Sequence, residues 1–136
     1  MSSKIGLNLT INYSLNFDLP KRRKSSIKFI IIHYTGMKKE SAAIKRLCDS
    51  KSKVSSHYFI KNNGEMLNLV PDSYSAWHAG ESHWKSFKSL NKYSIGIEIN
   101  NPGHDHRYKK FSSKQILSLF KLLGYLTNKY NIKKQN

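Results

Sequence analysis

The sequence of 136 residues has a single cysteine, Cys48, and few acidic residues. One cysteine excludes an intrachain disulfide framework. No segment approaches the roughly 20 consecutive apolar residues of a membrane-spanning helix, so we expect no transmembrane segment. Residues 1–8 are too polar to form the apolar core of a secretory signal, which leaves export by that route unsupported.

The shortage of acidic residues gives a formal net charge of +16, from 24 Lys and Arg against 8 Asp and Glu. Clustered cations can neutralise phosphates and so bind nucleic acids. Here the basic residues are spread along the chain, and only residues 21–24 form a dense run. Spread lysines are typical of a solvated surface, so we expect no specific nucleic-acid partner.

Hydrophobic patterning predicts several β-strands. Residues 27–33 form a near-continuous apolar run rich in β-branched side chains, which is typical of a central strand buried on both faces. Residues 94–99 form a second strand of this buried type. Residues 56–60 and 65–70 flank an Asn-Gly pair, a pattern that predicts a β-hairpin.

Two segments have the spacing of amphipathic helices. Apolar residues recur at helical steps in residues 40–47 and again in residues 112–130, where Ser112 or Ser113 would be the N-cap. Strands alternating with helices predict an α/β domain, a mixed central β-sheet flanked by helices. We expect residues 1–24 to form a polar leader or surface arm and residues 25–136 to form a single domain.

Two residues of the predicted strands are candidates for chemistry. His33 would emerge at the C-terminal edge of its strand, where α/β folds place their sites. A metal ligand and a buried core histidine both fit its spacing. Glu98 lies inside an apolar strand, and a buried carboxylate without a partner costs several kcal/mol. It therefore has either a structural partner, as in a salt bridge or at a sheet edge, or a catalytic role.

A third segment, residues 77–80, joins Trp77, His78 and a small-residue turn. An aromatic plate beside an imidazole suits the wall of a binding groove. A core tryptophan next to an exposed histidine is an equally good interpretation of these four residues taken alone.

Taken together, five segments resemble the successive motifs of one family, the zinc-dependent N-acetylmuramoyl-L-alanine amidases. This family shares its fold with phage lysozyme-type amidases and peptidoglycan recognition proteins. The resemblance extends over about residues 12–130 and is strongest to the bacterial envelope branch. The segments are IIIHYT at 30–35, VSSHYFI at 54–60, AWHAG at 76–80, SIGIEI at 94–99 and NPGH at 101–104.

The resemblance implies roles for matching residues. His33 matches the first zinc ligand, and Glu98 matches the buried glutamate that acts as general base or orients the attacking water. His57, Trp77 and His78 match positions that line the substrate groove. The implied reaction is hydrolysis, by a zinc-activated water, of the amide between the muramic-acid lactyl group and L-Ala. The implied partner is peptidoglycan or a muropeptide.

The sequence also departs from this pattern. In the family the last helix leads into a strand and loop of the form Gly-His-Ser-Asp, which supplies the second histidine and the third ligand. Because the sequence ends at Asn136, we expect a C-terminally truncated domain lacking the last strand and loop. We expect His104 and His106 to form a solvent-exposed pair in a loop and not to serve as replacement zinc ligands.

We therefore expect an incomplete zinc site and impaired hydrolysis, with a non-catalytic peptidoglycan- or muropeptide-binding remnant as the alternative. The expected oligomeric state is a monomer. The expected location is cytoplasmic, because no export signal is visible, and the family branch makes the periplasm or cell envelope the alternative.

Overall fold

The computed structural model describes residues 7–134. Its strands are β1 Leu9–Ile11, β2 Phe17–Asp18, β3 Phe29–Tyr34, β4 Tyr58–Ile60, β5 Met66–Asn68, β6 Ser75–Ala76, β7 His83–Trp84, β8 Phe87–Lys88 and β9 Ser94–Ile99. Its helices are α1 Glu40–Cys48 and α2 Ser113–Tyr130, with 3-10 turns at Lys24–Ser26, Leu90–Tyr93 and His104–His106. Neither α-helix within residues 7–134 is long and apolar enough to cross a membrane.

Five strands form the central sheet in the order β1-β5-β4-β9-β3. The pair β4 and β5 is antiparallel, and every other neighbouring pair in this sheet is parallel. The predicted mixed sheet and the predicted hairpin are thus confirmed. Gly64 closes the hairpin with a φ of +85°, a left-handed conformation that glycine adopts without steric cost.

The two helices cover opposite faces of the sheet, because alternate residues of a strand point to opposite sides. On one face Leu122 and Leu126 of α2 belong to a buried cluster with Tyr58 and Ile97. On the other face Ala43 and Leu47 of α1 belong to a second cluster, with Phe59, Leu67 and Leu69. The sheet is therefore the middle layer of three.

The N-terminus of α2 has the capping chemistry expected from its sequence. The Ser112 hydroxyl accepts a hydrogen bond from the backbone N–H of Gln115, and the Gln115 side chain accepts one from the N–H of Ser112. This reciprocal pair satisfies two N–H groups that a helix start otherwise leaves unpaired. Gln115 also donates to the carbonyl of Asn100, which ties the helix to the loop after β9.

The prediction that residues 27–33 form a central strand was wrong for the part of the chain described. β3 is at the edge of the five-stranded sheet, and β9 takes the interior position beside it. The side chains of Ile32 and Tyr34 are 47% and 54% exposed. The apolar residues Ile30 and Ile32 line a surface groove against α2 instead of a second buried face.

Part of the predicted leader lies within the fold. β1 pairs with β5 in the central sheet, and β2 pairs with β6 in a separate two-stranded ribbon. The surface-arm description is therefore incorrect for residues 9–11 and 17–18, whose backbone hydrogen bonds are made to the domain. Residues 1–6 of the predicted leader lie outside the described residues.

Candidate active site

Strand pairing brings the two principal candidates together. His33 of β3 and Glu98 of β9 are partners in the parallel register. Paired residues of neighbouring strands point to the same face of a sheet. His33 and Glu98 therefore share the face that α1 covers, although 65 positions separate them in the sequence.

Glu98 lines a cleft of about 200 Å³ between the sheet and α1. Its Oε2 atom is buried and has no hydrogen-bond partner among the described residues. Burial raises the pKa of Glu98 to about 7, while the charge of nearby Arg46 acts in the opposite direction. A carboxyl group with a pKa near neutrality can both accept and return a proton at physiological pH. Within residues 7–134, no salt bridge is formed by this carboxylate.

His78 forms part of the same cleft and connects it to His33. The Nδ1 atom of His78 lies 3.1 Å from the Nε2 atom of His33, and its Nε2 atom lies 3.0 Å from the Ser94 hydroxyl. Burial lowers the pKa of His78 to about 2, and His57, His33 and Arg22 act in the same direction. His78 is therefore neutral at physiological pH. Burial also lowers the pKa of His33.

Gly96 provides the space in which the His78 ring lies. A Cβ atom added to Gly96 would lie 2.6 Å from Cδ2 and 2.7 Å from Nδ1 of His78, and closer still to Cγ. These contacts are shorter than side chains tolerate, so the ring has to move. Glycine is needed here because of the close approach of the imidazole to the strand.

Gly96→Ala is expected to displace His78 and to separate it from His33. Overpacking of this kind costs roughly 1–3 kcal/mol of stability. The measurement is the urea midpoint together with the histidine side-chain NMR spectrum. Gly124→Ala is the matched control, because a Cβ there meets no atom within 4 Å. An unchanged spectrum for Gly96→Ala would contradict the packing described for His78.

The predicted groove role of His57 is not supported by its position. His57 is 0% exposed. Its Nδ1 atom accepts a hydrogen bond from the Gly96 N–H, and its Nε2 atom lies 2.8 Å from the carbonyl of Tyr74. His57 therefore links β9 to the loop before β6, and its enclosed ring is not exposed to the cleft.

Trp77 and His78 line the same cleft as residues of α1, as the groove-wall prediction requires. The indole Nε1 of Trp77 donates to Asp18 at 2.9 Å, and the Trp77 backbone N–H donates to the Ser55 hydroxyl. These bonds fix the ring at the cleft wall. Substrate contact by Trp77 and His78 stays a prediction.

The described residues do not fit a complete zinc site. A catalytic zinc takes three protein ligands and leaves one position open. No group of three His, Cys, Asp or Glu side chains within residues 7–134 is arranged to hold a metal ion. The Nε2 atom of His33 lies 3.1 Å from Nδ1 of His78, which is a hydrogen-bond distance. His104 is exposed and stacks on Tyr108, and within residues 7–134 it belongs to no such group.

Sequence reasoning missed two residues that matter at the site. Arg46 of α1 lines the cleft and is the cation that acts on Glu98. The one signal in the sequence for this role is that Arg46 precedes the buried Leu47 and so lies at the border of the apolar face of the helix. Ser94 was treated as the start of a strand, and nothing local indicates that its hydroxyl meets His78.

Comparison with known proteins agrees with this geometry. A family model described as N-acetylmuramoyl-L-alanine amidase matches residues 23–136. The N-acetylmuramoyl-L-alanine amidase AmiD of Escherichia coli K12 is 34% identical over 137 residues, which cover 88% of this chain and 49% of AmiD. The 1,6-anhydro-N-acetylmuramyl-L-alanine amidase AmpD of Escherichia coli K12 is 43% identical over 47 residues, which cover 35% of this chain and 26% of AmpD.

Solved structures give the same result. The structure of Escherichia coli AmiD with anhydro-N-acetylmuramic acid-L-Ala-D-gamma-Glu-L-Lys matches with a TM-score of 0.72 and 35% identity, covering 82% of this chain and 47% of that one. A selenomethionine AmpD derivative matches the fold with a TM-score of 0.78 at 21% identity, and the match covers 100% of this chain and 83% of that one. The chain spans about half the length of AmiD. By the extent of these matches, it belongs to the N-acetylmuramoyl-L-alanine amidase family.

Proposed function

We propose that this domain is an N-acetylmuramoyl-L-alanine amidase, which hydrolyses the amide between the muramic-acid lactyl group and L-Ala. The observation that carries the proposal is the Glu98 carboxylate. It lies in a cleft beside the linked pair His33 and His78, with one buried oxygen that no described residue satisfies. An unsatisfied buried carboxylate is costly, and a proton-transfer role in catalysis accounts for it.

The reaction follows from the position of Glu98. Its carboxylate accepts a proton from a water molecule as the water oxygen attacks the carbonyl carbon of the amide. The carboxyl group then gives that proton to the amide nitrogen as the C–N bond breaks. The products are a lactyl carboxylate and a stem peptide with a free L-Ala amine, so one water is consumed for each bond.

The walls of the cleft suit an anionic, partly apolar substrate. Arg46 supplies a cation to the lining of the cleft, and Trp77 supplies an aromatic ring. Muropeptides combine carboxylates with a sugar that stacks on aromatic rings. The AmiD structure holds such a compound, with a sugar, L-Ala and D-gamma-Glu. Peptidoglycan or a soluble muropeptide is the substrate class that these features support.

The proposal extends to zinc dependence of the activity. A bound zinc would polarise water and lower its pKa, and His33 is the residue that the family resemblance assigns to it. Further ligands are needed that residues 7–134 do not supply. The reaction proposed above therefore contains no step that depends on a bound zinc ion. We expect the purified 136-residue chain to contain much less than one zinc per molecule by elemental analysis.

A second candidate is muropeptide binding without hydrolysis. The absence of a three-ligand group among the described residues favours it, since a cleft can bind a sugar and peptide without activating water. The two candidates share a substrate and differ only in chemistry, so one assay separates them.

The deciding experiment is incubation of the purified chain with a defined muropeptide, followed by mass spectrometry, with and without added Zn²⁺. The amidase proposal predicts free stem peptide and the matching lactyl sugar, formed faster than by a Glu98→Gln variant. Saturable binding with the muropeptide intact under both conditions would overturn the amidase proposal and support the binding module.

A further inference from the structure

We propose that Trp84 and the apolar pocket that it lines bind the sugar ring of the substrate, while the stem peptide lies in the cleft that Arg46 lines. This assignment takes a muropeptide as the substrate and so rests on the proposed function. It makes Trp84 the residue that sets the preference for a ligand with a sugar over a free peptide.

The pocket differs in character from the cleft beside Glu98. It has a volume of about 240 Å³, and all of its lining residues have apolar or aromatic side chains: Phe29, Ile30, Ile31, Trp84 and Leu90. Trp84 is nevertheless 54% exposed. A tryptophan ring offers a large apolar surface, and pockets lined by apolar and aromatic side chains are typical of small-molecule sites. Trp84 thus presents surface that a ligand can cover.

A two-stranded ribbon holds Trp84 beside the central sheet. Trp84 of β7 and Phe87 of β8 are partners in this antiparallel ribbon. The Phe87 ring packs edge-on against Phe29 of β3, with 5.0 Å between the ring centroids, and its centroid lies 5.1 Å from that of Tyr93. Phe87 therefore anchors the ribbon to β3 and to the turn before β9, and the position of Trp84 follows from this anchor.

The pocket lies next to the candidate reaction centre along β3. Phe29, Ile31 and His33 are alternate residues of this strand, so their side chains point to the same face. Two residues of a strand span roughly 6.6 Å, which is the step from Ile31 to His33. Thr35 follows the strand and lines the cleft together with Glu98. The order along the chain is therefore apolar pocket, His33 and cleft.

A muropeptide has the same order of polarity. The carboxyl group of muramic acid forms the amide with L-Ala, so the sugar half has no charge, whereas the stem peptide carries carboxylates. Only the lactyl group separates the sugar ring from the scissile carbonyl. The uncharged pocket suits the sugar, and the cation of Arg46 suits the carboxylates. The reverse orientation would bring carboxylates into an apolar pocket, which is costly.

The test is isothermal titration calorimetry in a Glu98→Gln background, which suppresses the proposed hydrolysis. The two probes are anhydro-N-acetylmuramic acid-L-Ala-D-gamma-Glu-L-Lys, the compound bound by AmiD, and the tripeptide L-Ala-D-gamma-Glu-L-Lys. Trp84→Ala is expected to weaken muropeptide binding roughly 5- to 10-fold and to change tripeptide binding by less than about twofold. If the background variant still cleaves the muropeptide, KM values are compared instead.

Two further variants serve as controls. Trp84→Phe keeps an aromatic ring and should retain most of the affinity for the muropeptide. Tyr108→Ala is the matched control, because Tyr108 is 49% exposed and lines neither the pocket nor the cleft. Its affinity for both probes should equal that of the background variant. Circular dichroism gives the thermal midpoint of each chain.

Three results would overturn the sugar site. They are equal binding of the two probes to the background variant, unchanged muropeptide binding in Trp84→Ala, and equal losses for both probes. If Trp84→Ala does not fold, NMR replaces it. Nuclear Overhauser effects are then expected between the Trp84 indole protons, identified by their loss in Trp84→Phe, and the N-acetyl methyl protons of the muropeptide. Their absence would also overturn the sugar site.

The binding data separate this site from the amidase function. If the unmodified chain binds the muropeptide without cleaving it, and Trp84→Ala weakens only that binding, the amidase function fails and the sugar site stands. If the unmodified chain cleaves the muropeptide and Trp84→Ala leaves the KM unchanged, the amidase function stands and the sugar site fails.

Discussion

Replacing Glu98 by glutamine is expected to reduce muropeptide hydrolysis by at least about 100-fold, with little effect on folding. General acid–base catalysis by a positioned side chain contributes roughly 10²–10⁴-fold to a rate, and a neutral amide cannot accept the proton of the attacking water. The exchange conserves shape. Because Oε2 of Glu98 has no protein partner among the described residues, the amide breaks no hydrogen bond that this atom makes.

The rate of stem-peptide release is measured by mass spectrometry, and the thermal midpoint by circular dichroism. Glu65→Gln is the matched control, since Glu65 is an exposed glutamate on the β4–β5 hairpin that pairs with Lys61. Its hydrolysis rate should equal that of the unmodified chain. Retention of the full rate in Glu98→Gln would remove Glu98 from the mechanism and leave its burial unexplained.

Replacing Arg22 by alanine is expected to lower the free energy of unfolding by about 2–4 kcal/mol. Its guanidinium donates to the carbonyls of Asp72, Asn91 and Ser94, at 2.9, 3.0 and 2.8 Å. Hydrogen bonds from charged groups contribute about 1.5–3 kcal/mol, and carbonyls left unsatisfied add a further cost. Burial lowers the pKa of Arg22 to about 10, so it remains charged at neutral pH.

Urea denaturation measures this effect, with Arg23→Ala as the control. Arg23 is the exposed neighbour of Arg22 in the same basic run, and removal of an exposed side chain typically changes stability by less than about 0.5 kcal/mol. Arg22→Lys should recover little, because one ammonium group cannot reproduce the planar fork that reaches three carbonyls. Equal stability losses in Arg22→Ala and Arg23→Ala would show that Arg22 is not a structural clamp.

The elements with strong local signals were predicted well. The helix at residues 112–130 agrees with α2, and the capping residue is one of the two serines proposed. The Asn-Gly turn formed the antiparallel hairpin β4–β5. These features depend on periodicity, capping and turn chemistry within a few residues, so a single sequence is enough to predict them.

The errors concern residues whose surroundings come from distant parts of the chain. Residues 27–33 have the composition of a central strand, but β3 has one neighbour, β9, in the described part of the fold. His57 was assigned to the groove, but it is enclosed by Arg22, Tyr74 and Gly96. From the sequence, Arg22 was expected to be one of several exposed cations in the basic run of residues 21–24. Composition cannot reveal which of several adjacent basic residues points inward.

The sequence alone determined the family and the α/β class, and it pointed to the two residues proposed for the chemistry, His33 and Glu98. It did so because strand and helix periodicities are local, and because the order of the motifs is specific even where each motif is not. The parallel pairing of β3 with β9 placed His33 beside Glu98. Only the tertiary structure decided that His57 is enclosed and that His78 lies between His33 and Ser94, since hydrogen bonds join atoms that folding brings within about 3 Å of each other.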